Sequence, residues 1–217
     1  MATTVRVANP NLRDLAYWLY SEDAFSEETA SLIEKWLPNV NRIRSSVALK
    51  IFAEKASQSD FVVVISGRPG GKLFTAISEL SAKHSFTFLP VALISDVVHV
   101  GPISTKGCIA CWQCWRDRES ANHADPHSYR SLLEYHDTLQ SDINCGYLPL
   151  FIPIVSHLVN VLMETHEKGG WVAKLNLQTK SITFHPVLGI HDCPNCSWSL
   201  PSVDAEDLRT IFAQESA

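Results

Sequence analysis

The stretch "DFVVVISG", Asp60 to Gly67, decides the fold. An unbroken apolar run rich in β-branched residues and bounded by turn residues is the pattern of a parallel strand buried on both faces. A helical pattern from about Lys72 to Lys83 follows it. "FTFLPVALI", Phe86 to Ile94, then reads as the next strand, and "VVHVGP", beyond a Ser95-Asp96 turn, as another. Strand, helix and strand at this spacing make a βαβ unit, so the fold class is α/β with a parallel sheet.

Working back from Asp60, the first 59 residues read as a helical N-terminal part of the same domain, with residues 60–217 as the main α/β region. A short strand is expected around Val5 to Ala8. "RDLAYWLYSEDAF" and "SEETASLIEKWLPNV" read as helices, the second capped by Ser26 and closed by Pro38. "SSVALKIFAEKA" reads as a third.

Working forward, Asp117 to Ser141 is polar and is either a long crossing loop or short helices. The apolar stretch from Gly146 to His166 contains two prolines, His157 and Asn160. Its uninterrupted apolar runs fall short of a bilayer's width, so it reads as a buried helix and not a membrane span. "WVAKLNL" and "ITFHPVL", separated by "QTKS", form a C-terminal β-hairpin. "DAEDLRTIFAQ" is expected to be a short helix capped by Asp204.

A chain of 217 residues with 46% hydrophobic and 19% charged residues can bury a substantial core without covalent staples. Its net charge of −5 argues against a nucleic-acid partner, which calls for a basic face. The opening "MATTVRVANPNLRD" lacks the basic and apolar regions of a secretory signal. A cytoplasmic location follows as the expectation, and there paired cysteines more often signify metal or redox chemistry than structural disulfides.

Those cysteines lie in "GCIACWQCWRDR", with Cys108, Cys111 and Cys114, and in "HDCPNCSW", with Cys193 and Cys196. Two CxxC pairs can supply four thiolates to one tetrahedral zinc. Cys193 with Cys196 is unambiguous, whereas upstream either Cys108–Cys111 or Cys111–Cys114 fits. About eighty residues separate the two pairs, so such a site staples distant parts of a fold instead of building a finger. A thioredoxin-like role fits less well, because neither pair opens a helix after a βαβ strand. Cys145 has no partner at useful spacing and reads as a core residue. His123, His127, His136, His185 and His191 are further candidate ligands, and His191 stands near enough to Cys193 to support a thiolate.

"ISGRPGGKLF" has some features of a phosphate loop. However, only three residues separate Gly67 from the Gly71-Lys72 pair, and Leu73 takes the place of the magnesium-binding hydroxyl. It reads as a turn after a buried strand.

Taken in order, "DFVVVISGRP", "FTFLPVALISDVVHVGPI", "CWQCWRDR" and the hairpin ending in "HDCPNC" resemble the ThiF-type adenylating-enzyme fold. The particular likeness is to the branch found in biosynthesis of thiazole- and oxazole-containing peptides. It covers roughly Asp60 to Ser197. The resemblance implies structural zinc on Cys111, Cys114, Cys193 and Cys196, with Cys108 extra and Arg118 matching the family's arginine. It also implies a partner, a YcaO-type cyclodehydratase that uses ATP to cyclise Cys, Ser or Thr side chains of a precursor peptide onto the preceding amide. ThiF-type enzymes open with a strand and a glycine-rich ATP-binding turn, and on this likeness the chain starts too late to contain that turn. The implied protein is a partial ThiF-like, non-adenylating, zinc-binding subunit of an azoline- and azole-forming complex, either a homodimer or part of a hetero-oligomer. "RDLAYWLY", with Tyr17, Trp18 and Tyr20, is its candidate contact. The alternatives are a small adenylating enzyme acting on a peptide or carrier protein, or a zinc-stapled interaction module.

Overall fold

The computed structural model describes residues 15–37, 39–69, 71–105, 107–138, 149–164 and 170–196. Three helix–strand alternations come first: β1 (Ala16–Tyr20), α1 (Ala24–Glu34), β2 (Val40–Ile43), α2 (Ser46–Lys55), β3 (Asp60–Ser66), α3 (Gly71–His84) and β4 (Thr87–Ile94). Next are β5 (Val97–Val100), α4 (Trp112–Ala121), α5 (Pro126–Thr138), α6 (Ile152–Glu164), β6 (Trp171–Asn176) and β7 (Ser181–Pro186). The strands form one seven-stranded sheet in the order β2-β1-β3-β4-β5-β6-β7. β2, β1, β3 and β4 run parallel, and β5, β6 and β7 add on antiparallel.

The β3-α3-β4 unit is where the sequence places it, and β3 is buried from Phe61 to Ser66. The reason is that both sheet faces are covered. On one face α1 and α6 pack over Phe61, Val63, Leu89 and Val91. On the other, side chains of α2, α3 and α4 pack over Val62, Val64, Phe88 and Ala92. The polar middle resolves into helices α4 and α5. The described part of the Gly146–His166 stretch is a 3-10 turn at Pro149–Phe151 followed by α6, whose Val155, Leu158, Val159 and Leu162 are buried. Among the described residues no helix is long and apolar enough to cross a membrane. The hairpin pairs Trp171 with Pro186 through Asn176 with Ser181.

The N-terminal reading needs correction. "RDLAYWLY" is not a helix. Its Ala16–Tyr20 segment is strand β1, held between β2 and β3, and the described part of the first 59 residues thus holds two strands besides two helices. Aromatic side chains suit a pleated surface flanked on both sides, and Trp18 donates its indole N–H to Asp60 at 2.9 Å. Tyr20 is buried, so this segment is sheet interior and not the contact helix expected of Tyr17, Trp18 and Tyr20. The cap of α1 also moves, from Ser26 to Asp23. Asp23 accepts from the Ser26 amide, and the Ser26 hydroxyl closes the capping box from the third helical position. The expected strand at Val5–Ala8, the helix from Asp204, and Cys145 lie outside the described residues.

Candidate metal centre

The chain leaves β5 through Gly101, at φ +96°, where a side chain would meet the Trp171 carbonyl 2.6 Å away. Ser104 then bridges back to Phe88, and its hydroxyl accepts from the Trp112 amide at 3.1 Å. That contact fixes the start of α4, with Cys111 as its N-cap and Cys114 within its first turn. The second pair sits on the loop after β7. Cys193 donates its amide to the Ile190 carbonyl at 3.1 Å, and Ile190 donates its own amide to the Cys114 sulfur at 3.3 Å.

Cys111, Cys114, Cys193 and Cys196 are thereby brought together, all buried, with every Sγ within 4.8 Å of the others. Three of the Sγ–Sγ separations are 3.6 Å for Cys111–Cys193, 3.6 Å for Cys114–Cys196 and 3.8 Å for Cys111–Cys114. Four sulfurs at the usual zinc–sulfur bond length mark out a tetrahedron with edges of about 3.8 Å. A disulfide is far shorter, and all four cysteines are free. The donor set thus has the size and shape of a closed, four-coordinate soft-metal site.

The electrostatics agree. The Cys111 thiol is pushed far up by its neighbours Cys114 and Cys196 and by burial. Cys114 is held lower by Cys111 and raised by Cys196 and burial, with a net rise to about 11. Packed together without a cation these sulfurs resist ionisation, and a bound divalent ion is what reverses that resistance.

Cys108 stands outside the group of four and donates to the Ala110 carbonyl at 3.3 Å. Between the two upstream pairings left open by spacing, the structure assembles Cys111 with Cys114. Among the described residues the histidines do not join the cluster. His123 stacks on Tyr129 at 3.6 Å, His185 meets the Thr183 hydroxyl at 2.9 Å, and His191 pairs with the Asp192 carboxylate at 2.8 Å instead of supporting a thiolate. Arg118 does reach the centre's frame. Its guanidinium donates to the carbonyls of Leu188 at 2.6 Å and Gly189 at 3.0 Å, clamping α4 to the loop that carries the second cysteine pair.

A second feature was invisible in the sequence. In open α/β sheets ligands bind outside the carboxyl ends of the strands where the strand order reverses. Here that point lies between β1 and β3. It is filled by the Asp23 carboxylate, which accepts from the Ser26 amide at 2.8 Å and the Gly67 amide at 2.7 Å. A Cβ on Gly67 would meet that carboxylate at 2.9 Å. Glu22 beside it accepts from the Tyr20 hydroxyl. The Asp23 carboxylate occupies backbone amides of the kind that hold a phosphate at a helix start.

No protein-family model matches the sequence, and no curated protein matches it. Solved structures do match in shape. A heterocyclase in complex with substrate and cofactor matches with a TM-score of 0.59 and 14% identity, over 86% of this chain and 26% of that one. The heterocyclase TruD matches with a TM-score of 0.57 and 14% identity, over 94% and 32%. A chain of the E. coli microcin synthetase McbBCD complex matches with a TM-score of 0.61 and 12% identity, over 82% and 67%. The chain thus spans about a quarter of the first and a third of the second. At these identities the likeness establishes the fold alone, a mixed α/β sheet with the C-terminal hairpin.

Proposed function

We propose that the chain is a non-adenylating, zinc-binding subunit of a ribosomal-peptide-modifying complex that makes azolines or azoles. It positions the precursor peptide for, or activates, a YcaO-type ATP-dependent cyclodehydratase. The observation that carries this reading is the fold shared with two heterocyclases and a microcin synthetase chain. The closed crevice at Asp23 supports a division of labour in which ATP chemistry belongs to the partner.

Cys111, Cys114, Cys193 and Cys196 would hold the zinc. With four thiolates the ion supplies a cross-link and no open position for a reacting group. What this chain's residues do around it is structural: they join α4 to the loop after β7, with Arg118 bracing the same junction.

The test is to mix the purified chain with a YcaO-type protein and a precursor peptide, following association by light scattering and ring formation by loss of water in mass spectra. The expected result is a complex that cyclises the peptide faster than the YcaO-type protein alone. A monomer that ignores both components overturns the reading.

A further inference from the structure

The hydrogen bonds of the C-terminal hairpin fix which backbone groups of β7 look outward. Val187 donates its amide to the Gly170 carbonyl, and the pairing of β6 with β7 alternates from there. Ser181, Thr183 and His185 therefore turn their backbone groups towards β6, and Ile182, Phe184 and Pro186 turn theirs away. The other side of β6 agrees. Leu177 donates to the Asp96 carbonyl, so the odd-numbered residues of β6 serve β5 and the even-numbered ones serve β7.

The outward row is short and bounded at both ends. Pro186 has no N–H to give, and beyond it the Leu188 carbonyl is taken by Arg118 at 2.6 Å. At the other end Lys180, at φ +58°, belongs to the turn. Between these limits stand the N–H and C=O groups of Ile182 and Phe184, and no described strand pairs with them.

So short a row suits a second copy of itself better than a long partner strand. Set antiparallel, with Ile182 opposite Phe184 of the second copy, each of these residues exchanges both of its backbone bonds, and every outward N–H of the pair meets a C=O. A shift of two residues one way sets Ile182 against Pro186, which cannot answer with an N–H. The opposite shift sets Phe184 against the Lys180 turn. Side chains fit the same register. Ile182 meets Phe184 twice on one face, a branched–aromatic pair of the kind that stabilises sheets. On the other face Thr183 meets its own counterpart and Ser181 meets His185. "SITFHP" has no Lys, Arg, Asp or Glu, so the symmetry sets no like charges opposite each other.

We propose that β7 pairs antiparallel with β7 of a second copy of this chain, about a two-fold axis at Thr183, joining two seven-stranded sheets into one. The pairing stands independently of the peptide-modification reading.

The experiment uses the full chain. On the axis, the two Thr183 Cα atoms would lie about 4.5 Å apart, which is within disulfide reach. Thr183→Cys incubated with oxidised glutathione is therefore expected to form a covalent dimer on non-reducing gels, releasing reduced glutathione. Ser181→Cys alone and His185→Cys alone are expected to stay uncrosslinked, while an equimolar mixture of the two gives the dimer. Sedimentation of the natural chain should show reversible dimerisation. Ile182→Pro removes an outward N–H and leaves the bonds to β6 in place. It should weaken the dimer about ten-fold at an unchanged melting temperature. A monomer at every concentration, cross-linking of Thr183→Cys no stronger than in the natural chain, or Ser181→Cys linking to itself would each overturn the pairing. So would a chain that is monomeric alone yet joins a YcaO-type protein, since the edge would then belong to another partner. A dimer that cross-links at Thr183→Cys and ignores the YcaO-type protein upholds the pairing and sinks only the peptide-modification reading.

Discussion

The Asp23 carboxylate accepts the backbone amide of Gly67 at 2.7 Å, tying the start of α1 to the end of β3 across 44 residues of sequence. The same carboxylate caps α1 through Ser26. An acidic group on these amides both satisfies them and repels a triphosphate arriving there. The isolated chain is therefore expected neither to bind ATP in the micromolar range nor to exchange pyrophosphate into it. Asp23→Ala, which removes the cap and leaves the Gly67 amide without this acceptor, should cost about 1–2 kcal/mol in urea unfolding. Calorimetric ATP binding by the natural chain, abolished by Lys72→Ala, would restore the adenylating alternative.

The metal prediction rests on the sulfur spacing. Purified protein should carry about one zinc per chain by elemental analysis, as four thiolates on one tetrahedral ion require. Cys193→Ser should release it and lower the melting temperature, because the two segments joined at Cys111 and Cys193 are then held by weaker contacts alone. Cys108→Ser should leave zinc content nearly unchanged, since its sulfur donates to the Ala110 carbonyl and, though it neighbours Cys196, stands outside the group of four. Metal-free protein with an undiminished melting temperature would refute the site.

Arg118 is expected to act on the centre without touching the metal. Arg118→Ala removes two charge-assisted hydrogen bonds to the Leu188 and Gly189 carbonyls. The side chain is exposed enough that water replaces part of this loss, so about 1 kcal/mol is expected. Zinc should also transfer faster to a chelator, because the loop bearing Cys193 and Cys196 is no longer clamped to α4. An unchanged transfer rate would confine Arg118 to a surface role.

How far the sequence could be read follows from where its signals are local. β3 was legible because a strand buried on both faces writes an unbroken apolar run, and the hairpin because alternation flanks a polar turn. The cysteine pairs were legible as pairs; spacing alone left Cys108 and Cys114 open, the family resemblance pointed to Cys114, and α4's orientation brings Cys114 into the cluster. "AYWLY" misled because five residues are too few to separate a period of 3.6 from one of 2. Its strand state comes from β2 and β3 on either side, which are non-local partners. The Asp23 plug could not be found in advance, since it depends on Gly67 arriving from 44 residues away. The "SED" preceding the helix, with Ser26 three residues on, was the available signal for a cap at Asp23 instead.

His99 gives the pH prediction. It is buried against Trp115, and desolvation, with smaller contributions from Lys174 and His185, lowers its pKa from 6.5 to about 3. The unfolded chain therefore takes up a proton that the folded chain refuses. Stability from this source is fully present above about pH 6.5 and is lost as pH falls toward about 3, at about 1.4 kcal/mol per pH unit. At pH 5 the loss is about 2 kcal/mol. His99→Phe should remove this slope, so the difference between the two proteins' urea stabilities, measured from pH 7 to pH 5, isolates it from acid effects on the cysteines. Parallel pH profiles would show that His99 is not the group responsible.

Association should use the edge at β7, which is the outermost described strand on its side of the sheet. All six of its residues are exposed, and the described sheet continues no further on that side. Alternation and pairing put Ile182, Phe184, Pro186 and Trp171 on one face, with Phe184 47% and Trp171 43% exposed. Natural edges are commonly guarded by inward charges or by a bulge, whereas "SITFHP" has no Lys, Arg, Asp or Glu. An aromatic and branched apolar stripe beside an edge that no described strand pairs is what a partner subunit or a second copy can cover. Phe184→Lys should weaken association with the YcaO-type partner, or self-association, by about thirty-fold if Phe184 is a central contact worth about 2 kcal/mol. Folding stability should move by no more than about 0.5 kcal/mol, because the side chain is half solvated already. Light scattering and a thermal melt on the same samples separate the two effects. Undiminished association of a well-folded Phe184→Lys protein would exclude this edge and direct the search to β2, the edge strand on the opposite side of the sheet.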